Sequence, residues 1–207
     1  MRIKTDEKRQ LIIDTAYRLF RANGFEKTSM SEVTAQVGGS KATLYNYFSS
    51  KEELFLECMV SITDHYLEGI HSSLKNPEID VETALFDLAK RALRLMFAPE
   101  MVASRRLVIA EAERSGIGRL FHEKIISYQQ EIASFLERAM EEGKLRKADP
   151  MLASVQFRAL LEAEIFEPCI LGVEKAPLAA ATFTRTARNA VTTFLLAYAP
   201  SPNKTEK

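Results

Sequence analysis

The chain has 207 residues, 28 basic and 28 acidic, with 46% hydrophobic and 27% charged, a globular composition well removed from that of a disordered chain. No apolar run approaches the ~20 residues a membrane helix requires, and the opening Met-Arg-Ile-Lys-Thr-Asp-Glu-Lys-Arg lacks the apolar core of a signal peptide. Two cysteines, Cys58 and Cys169, fit buried thiols in a reducing compartment better than a disulfide framework, so the cytoplasm is the expected location.

Helical spacing recurs along the chain. Leu11, Ile12, Thr15, Ala16, Leu19 and Phe20 form one stripe, which Asn23-Gly24 ends. Ser29 and Glu32 have capping-box spacing and open a short helix through Val33 and Val37, broken by Gly38-Gly39. Ser40 is placed to cap a third helix, Lys41 to Phe48. A longer helix is predicted from Lys51 to about Leu74, before Asn76-Pro77. Asp80 caps the next, through Leu85, Leu88, Ala89, Leu93 and Met96, closed by Pro99. Segments at about 101–113 and 117–143 follow. Asp149-Pro150, a cap followed by proline, opens a helix to about Phe166, and the last spans about Leu178 to Tyr198. Nine helices and no sheet are predicted.

Zero net charge conceals an asymmetry: residues 1–51 carry nine Lys/Arg against five Asp/Glu, the remainder 19 against 23. A basic end on an acidic body suggests a polyanionic partner for that end, although a solvated face is the ordinary alternative. Two short helices around Gly38-Gly39 match the helix-turn-helix design, whose second helix enters a DNA major groove. On that helix Leu44 and Phe48 would face the core, leaving Ser40, Lys41, Thr43, Asn46 and Tyr47 with donors suited to phosphates and bases. Lys51, in a first helical turn, works against the helix dipole, a cost easier to understand if it meets a phosphate. A solvated helical hairpin fits the same spacing.

Residues 9–55 resemble the DNA-binding domain of the TetR family of bacterial transcriptional regulators. Leu-Phe-x-x-x-Gly-Phe, Thr-Ser-Met, and Leu-Tyr-x-Tyr-Phe-x-x-Lys-Glu-Glu-Leu fall at that family's spacing. The remainder more weakly resembles the AcrR-like and AefR-like branch, notably at Arg106-Leu107-Val108-Ile109-Ala110-Glu111-Ala112. The resemblance implies phosphate contacts from Thr28, Tyr47 and Lys51. It places Ser40, Lys41, Thr43, Tyr45 and Asn46 at or near the groove, and Ser29 is counted with this set. Gly39, where the family usually has an apolar residue, and Ala42, where glycine is common, depart from the pattern.

No catalytic constellation emerges. His65 and His71 are six apart, His122 stands alone, and no Cys or His pair has metal-ligand spacing. Gly38-Gly39-Ser40-Lys41 lacks the first glycine of a phosphate loop and follows no strand, and Glu162, Glu164 and Glu167 do not share a helical face. Neither a cofactor nor a metal is expected.

In the resembled family the larger half encloses a cavity for a small effector. The candidate lining is Met59, Ile62, His65, Tyr66, Phe86, Ala89, Met96, Arg105, Ile109, Phe121 and Tyr128, although plain core is the alternative for each. Ala89, small and inward, is where a tryptophan would fill such a space. The segment around 151–166 is apolar nearly all round and calls for burial on most faces, and that around 178–195 carries a broad apolar stripe with small residues. Burial partly against a second copy, as a two-fold four-helix bundle, nominates Phe157, Leu161, Val191, Phe194 and Leu195 for a dimer interface, and a central helix within one subunit fits the first segment equally well.

The expected fold is therefore all-α. A helix-turn-helix DNA-binding domain, residues 1–50, precedes a helical effector-binding and dimerisation domain, residues 51–200, and a polar tail, 201–207. The expected function is a one-component regulator, a repressor that binds a palindromic operator as a homodimer and is released by a small, largely hydrophobic effector. Its expected partners are double-stranded operator DNA, that effector and a second copy, with no membrane. The alternatives are a DNA-binding regulator without effector response and a ligand-binding helical protein.

Overall fold

A computed structural model describes residues 2–61, 79–115 and 117–200, and every regular element among them is an α-helix. These are α1 (Arg2–Asn23), α2 (Met30–Val37), α3 (Lys41–Tyr47), α4 (51–61), α5 (Val81–Met96), α6 (Pro99–Ser115), α7 (Ile117–Glu141), α8 (Pro150–Glu162), α9 (Phe166–Ile170) and α10 (Ala180–Tyr198). The predicted continuation of the Lys51 helix past residue 61, the Asn76-Pro77 break and the tail at 201–207 lie outside the described residues. Among the described residues no helix is long and apolar enough to cross a membrane.

The chain divides into two compact units. The first takes residues 1–65 and 106–121, the second 66–105 and 122–207, so α6 and α7 each contribute to both.

In the first unit α1 turns Ile12, Ile13, Thr15, Ala16, Leu19 and Phe20 inward, and Leu11, expected on that stripe, is 46% exposed. The buried arc is centred one position further along, so Ile13 takes the place of Leu11. Phe20, Phe25 and Phe55 close a ring cluster, with centroids 5.0–5.7 Å apart, that joins the α1–α2 loop to α4. A smaller cluster holds Leu56 and Val108 under Phe121.

The second unit is a single apolar core. Leu85, Leu88, Ala89 and Leu93 of α5 meet Phe183, Ala187, Val191 and Phe194 of α10, with Phe157 and Leu161 of α8 in the same cluster. Phe194 lies edge-on to Phe157 and stacks on Tyr198. Asp80 and Asp149 cap α5 and α8 as their sequence positions predict, accepting from Thr83 N at 2.9 Å and from Met151 N at 2.8 Å. Arg146 donates from its backbone N and from Nε to the last carbonyls of α10, at Tyr198 and Ala197.

One predicted helix is two in the structure. The segment from Pro150 stops at Glu162, and α9 starts afresh at Phe166. Pro168 is the cause: in an unbroken helix its ring would clash with the Glu164 carbonyl and its missing N–H would orphan it, so the chain turns first.

Candidate nucleic-acid interface

The reading head is built from local signals. The Ser29 side chain accepts from Glu32 N at 3.2 Å and starts α2, and the Ser40 hydroxyl accepts from Thr43 N at 3.1 Å and starts α3. Between them Gly38 and Gly39 adopt φ of 74° and 115°, which side-chain-bearing residues rarely reach. A Cβ at either would meet nothing within 4 Å, so backbone conformation rather than space demands glycine here. The departure from the family pattern at Gly39 is thus matched by a turn only glycine makes without strain.

Long-range contacts hold this turn in place. Lys8 of α1 donates to the carbonyls of Val37 and Gly38 at 3.1 and 3.2 Å, a cation on the C-terminal end of α2. Asn23, at the end of α1, donates to Glu32 at 3.1 Å. Arg9 pairs with Glu57 of α4, and its guanidinium lies 5.1 Å from the centre of the Phe48 ring. Leu44 and Phe48 are buried, 3% and 1% exposed, and anchor α3 as predicted. The partners of Lys8 and Arg9 are far along the chain, so sequence spacing does not reveal these contacts.

With α3 anchored on that side, Ser40, Lys41, Thr43, Tyr45 and Asn46 are exposed and Tyr47 is half-buried. Tyr45 is 49% exposed. These side chains present hydroxyl, amide, ammonium and phenol groups, the donors and acceptors that read phosphates and base edges. Ser29 is exposed at the start of α2.

Two of the expected phosphate contacts are engaged within the chain. Thr28 is 1% exposed, and its hydroxyl donates to the Gly24 carbonyl at 2.9 Å. The hydroxyl closes the α1–α2 loop and is not at the surface, which corrects its expected role. Lys51 donates to the Phe25 carbonyl at 3.1 Å and lies 4.1 Å from the centre of that ring. It is half-exposed and keeps two further ammonium hydrogens. The dipole cost of a lysine in that first turn is therefore offset inside the protein. The same helix start is capped by Ser50, which accepts from Glu53 N at 3.1 Å, while Glu53 reaches back to Ser49 N at 2.7 Å.

Ile62, His65 and Tyr66 lie outside the described residues. Met59 is buried in the first unit, Phe121 packs on Leu56 and Val108, and Ile109 is 60% exposed. Ala89 is fully buried in the core of the second unit, with Phe86 and Met96 against the same core, so a tryptophan at Ala89 would overpack it rather than fill a vacancy. Tyr128 is half-buried, and Arg105, 6% exposed, pairs with Glu162 at 3.1 Å.

The nominated dimer residues also resolve differently. Phe157, Leu161, Val191 and Phe194 are 0–3% exposed inside this chain's own core, and Leu195 is half-buried. The all-round apolar pattern of α8 is answered within this chain on one face only, where Ala153, Phe157 and Leu161 are buried. Exposed apolar side chains on the same helices are instead Leu152 and Val155 of α8 and Leu196 of α10.

Cys58 donates to the Ile13 carbonyl at 3.4 Å, and burial, with Glu57 and Asp14 nearby, pushes its thiol far above the usual range, so it stays protonated and inert. No cluster of three or more metal-ligating side chains occurs among the described residues.

Comparison with known proteins agrees with this architecture. Residues 12–58 match the model for bacterial regulatory proteins of the tetR family, and residues 83–200 match that for the C-terminal domain of AefR-like transcriptional repressors. A TetR-family regulator from Mesorhizobium loti superposes with a TM-score of 0.80 at 29% identity over 94% of this chain and 98% of that one. The flavonoid-responsive regulator FrrA superposes at 0.69, with 31% identity over 95% and 100%. HdnoR of Paenarthrobacter nicotinovorans, a nicotine-responsive transcriptional repressor, is 28% identical over 70% of this chain and 75% of its own length. The alignment to YerO of Bacillus subtilis, 37% identical, covers 37% of this chain and only 25% of that protein. With both family models matched in order, the chain belongs to the TetR family of transcriptional regulators, DNA-binding proteins rather than enzymes, and carries an AefR-like C-terminal domain.

Proposed function

We propose that this protein is a cytoplasmic repressor that binds a palindromic operator as a homodimer and leaves it when a small, largely hydrophobic effector binds. The observation that carries the DNA half is α3 itself, anchored by Leu44 and Phe48 and capped by Ser40 behind a double-glycine turn. Lys41, Thr43, Tyr45 and Asn46 project from it, and Tyr47 and Lys51 flank it as candidate phosphate contacts. The exposed Leu152, Val155 and Leu196 support an interface with a second copy, since α8 and α10 pack together and carry these side chains outward. The effector half is supported by the AefR-like match over 83–200 and by relatives named for response to flavonoid and to nicotine.

Selection of random DNA fragments by the purified protein tests the reading. An enriched inverted repeat with half-sites centred about one helical turn apart, roughly 34–36 Å or somewhat more, is expected. Enrichment without symmetry, or none above non-specific binding, would contradict it.

A further inference from the structure

Arg105 is the most unusual group in the second unit. It is 6% exposed, and its guanidinium carbon lies 5.7 Å from the centre of the Phe97 ring and 5.5 Å from that of Phe166. Nη2 pairs with Glu162 Oε1 at 3.1 Å, but that same oxygen also accepts from Arg158 Nη2 at 3.2 Å. Among the described residues two guanidinium groups therefore share one carboxylate, and positive charge is left in excess. Nε and Nη1 of Arg105 are buried with no hydrogen-bond partner among the described residues. Burial pushes the Arg105 guanidinium below its ordinary basicity; Glu162 opposes this and Arg158 adds to it.

Buried N–H groups are almost always paired, and a buried cation is tolerated only with its counter-charge and its donors satisfied. Here the counter-charge is divided and the donors are open, between two aromatic rings that offer apolar surroundings. Glu162 occupies one hydrogen of Nη2. Whichever side of Nη2 it takes, the other edge of the planar fork keeps two adjacent donors, on Nη2 and on either Nε or Nη1, spaced to match the two oxygens of a carboxylate.

We propose that Arg105 is the docking point for a carboxylate on the effector, and that the effector is a hydrophobic carboxylic acid bound in its ionised form. This rests on the effector-responsive reading and names the chemistry of its ligand. The incoming anion supplies the missing counter-charge and fills the open donors, with the Phe97 and Phe166 rings beside it. An uncharged ligand of equal shape would leave the excess charge uncompensated, so the site selects for the anion.

The test uses the full chain and two matched pairs of probes, octanoate with octanamide and cinnamate with cinnamamide, titrated calorimetrically at pH 7.5. At least one carboxylate binds at about tenfold or more higher affinity than its amide, as a buried charge-assisted contact requires. Arg105→Gln abolishes that preference. Glu162→Gln, which removes the competing negative charge, tightens the carboxylate severalfold and leaves the amide within about twofold. A merely structural Arg105 would give no such gain. Equal binding of acid and amide, a preference that survives Arg105→Gln, no tightening in a folded Glu162→Gln protein, or no binding of either acid up to about 10 mM overturns the proposal. If Arg105→Gln fails to fold, the acid–amide ratio of the wild-type protein decides. Operator retention measured on the same samples separates the two readings. An amide that binds and releases DNA as well as its acid keeps the effector reading and removes the anion. An acid that binds through Arg105 without altering operator affinity keeps the anion site and removes its role in release.

Discussion

At the scale of single residues, Gly39 and Lys51 make the clearest claims. Gly39 has a φ of 115°, so Gly39→Val forces a β-branched residue into a region it avoids and costs about 1–3 kcal/mol. Thermal melting reads this directly, and an unchanged midpoint would mean the turn has another accessible conformation. Lys51 is bound to the Phe25 carbonyl and ring, so Lys51→Met loses about 1–2 kcal/mol of stability without any DNA present. If it also meets a phosphate, the same variant lowers the slope of log affinity against log salt by about one unit for every DNA sequence. The two measurements separate the internal role from the DNA role. Thr28 makes the opposite case: its hydroxyl is consumed by Gly24, so Thr28→Val disturbs the loop and leaves the salt slope unchanged.

At the scale of elements, most of what the sequence reveals is local. Ser29, Ser40, Asp80 and Asp149 all cap the helices their spacing predicts, because a cap acts within three residues and needs no knowledge of the fold. Ser40 allows cap and contact to be separated. Ser40→Ala removes the acceptor and costs about 1 kcal/mol of stability. Ser40→Asp keeps an acceptor and suits the helix dipole, yet places negative charge beside DNA, so the protein stays folded and operator affinity falls. Equal affinity for Ser40→Asp and wild type would place the start of α3 away from the phosphates. Apolar spacing conceals one local break and the long-range contacts. The division between α8 and α9 follows from Pro168, whose clash reaches back to Glu164 and ends the preceding helix earlier than apolar spacing suggests. Lys8 on the end of α2, Arg9 on Glu57 and Asn23 on Glu32 all join residues that sequence order separates.

At the scale of the whole molecule, the distinction between core and interface governs the outcome of mutation. Phe194 is fully buried, so Phe194→Glu places a charge in the apolar core and prevents folding. Leu196 is 79% exposed on the same helix, so Leu196→Glu leaves the fold intact and converts the proposed dimer to monomers. Sedimentation paired with circular dichroism distinguishes the two, and a Leu196→Glu protein that remains dimeric would move the interface elsewhere. An apolar run alone cannot make this distinction, because burial against one's own chain and against a copy demand the same residues. The central claim, that α3 reads DNA, is tested most directly by repeating the DNA selection with Asn46→Ala. The account predicts a folded protein with relaxed preference at one base pair in each half-site and a discrimination loss of about 1–3 kcal/mol there. An unaltered base preference at every position, with affinity also unchanged, would contradict it.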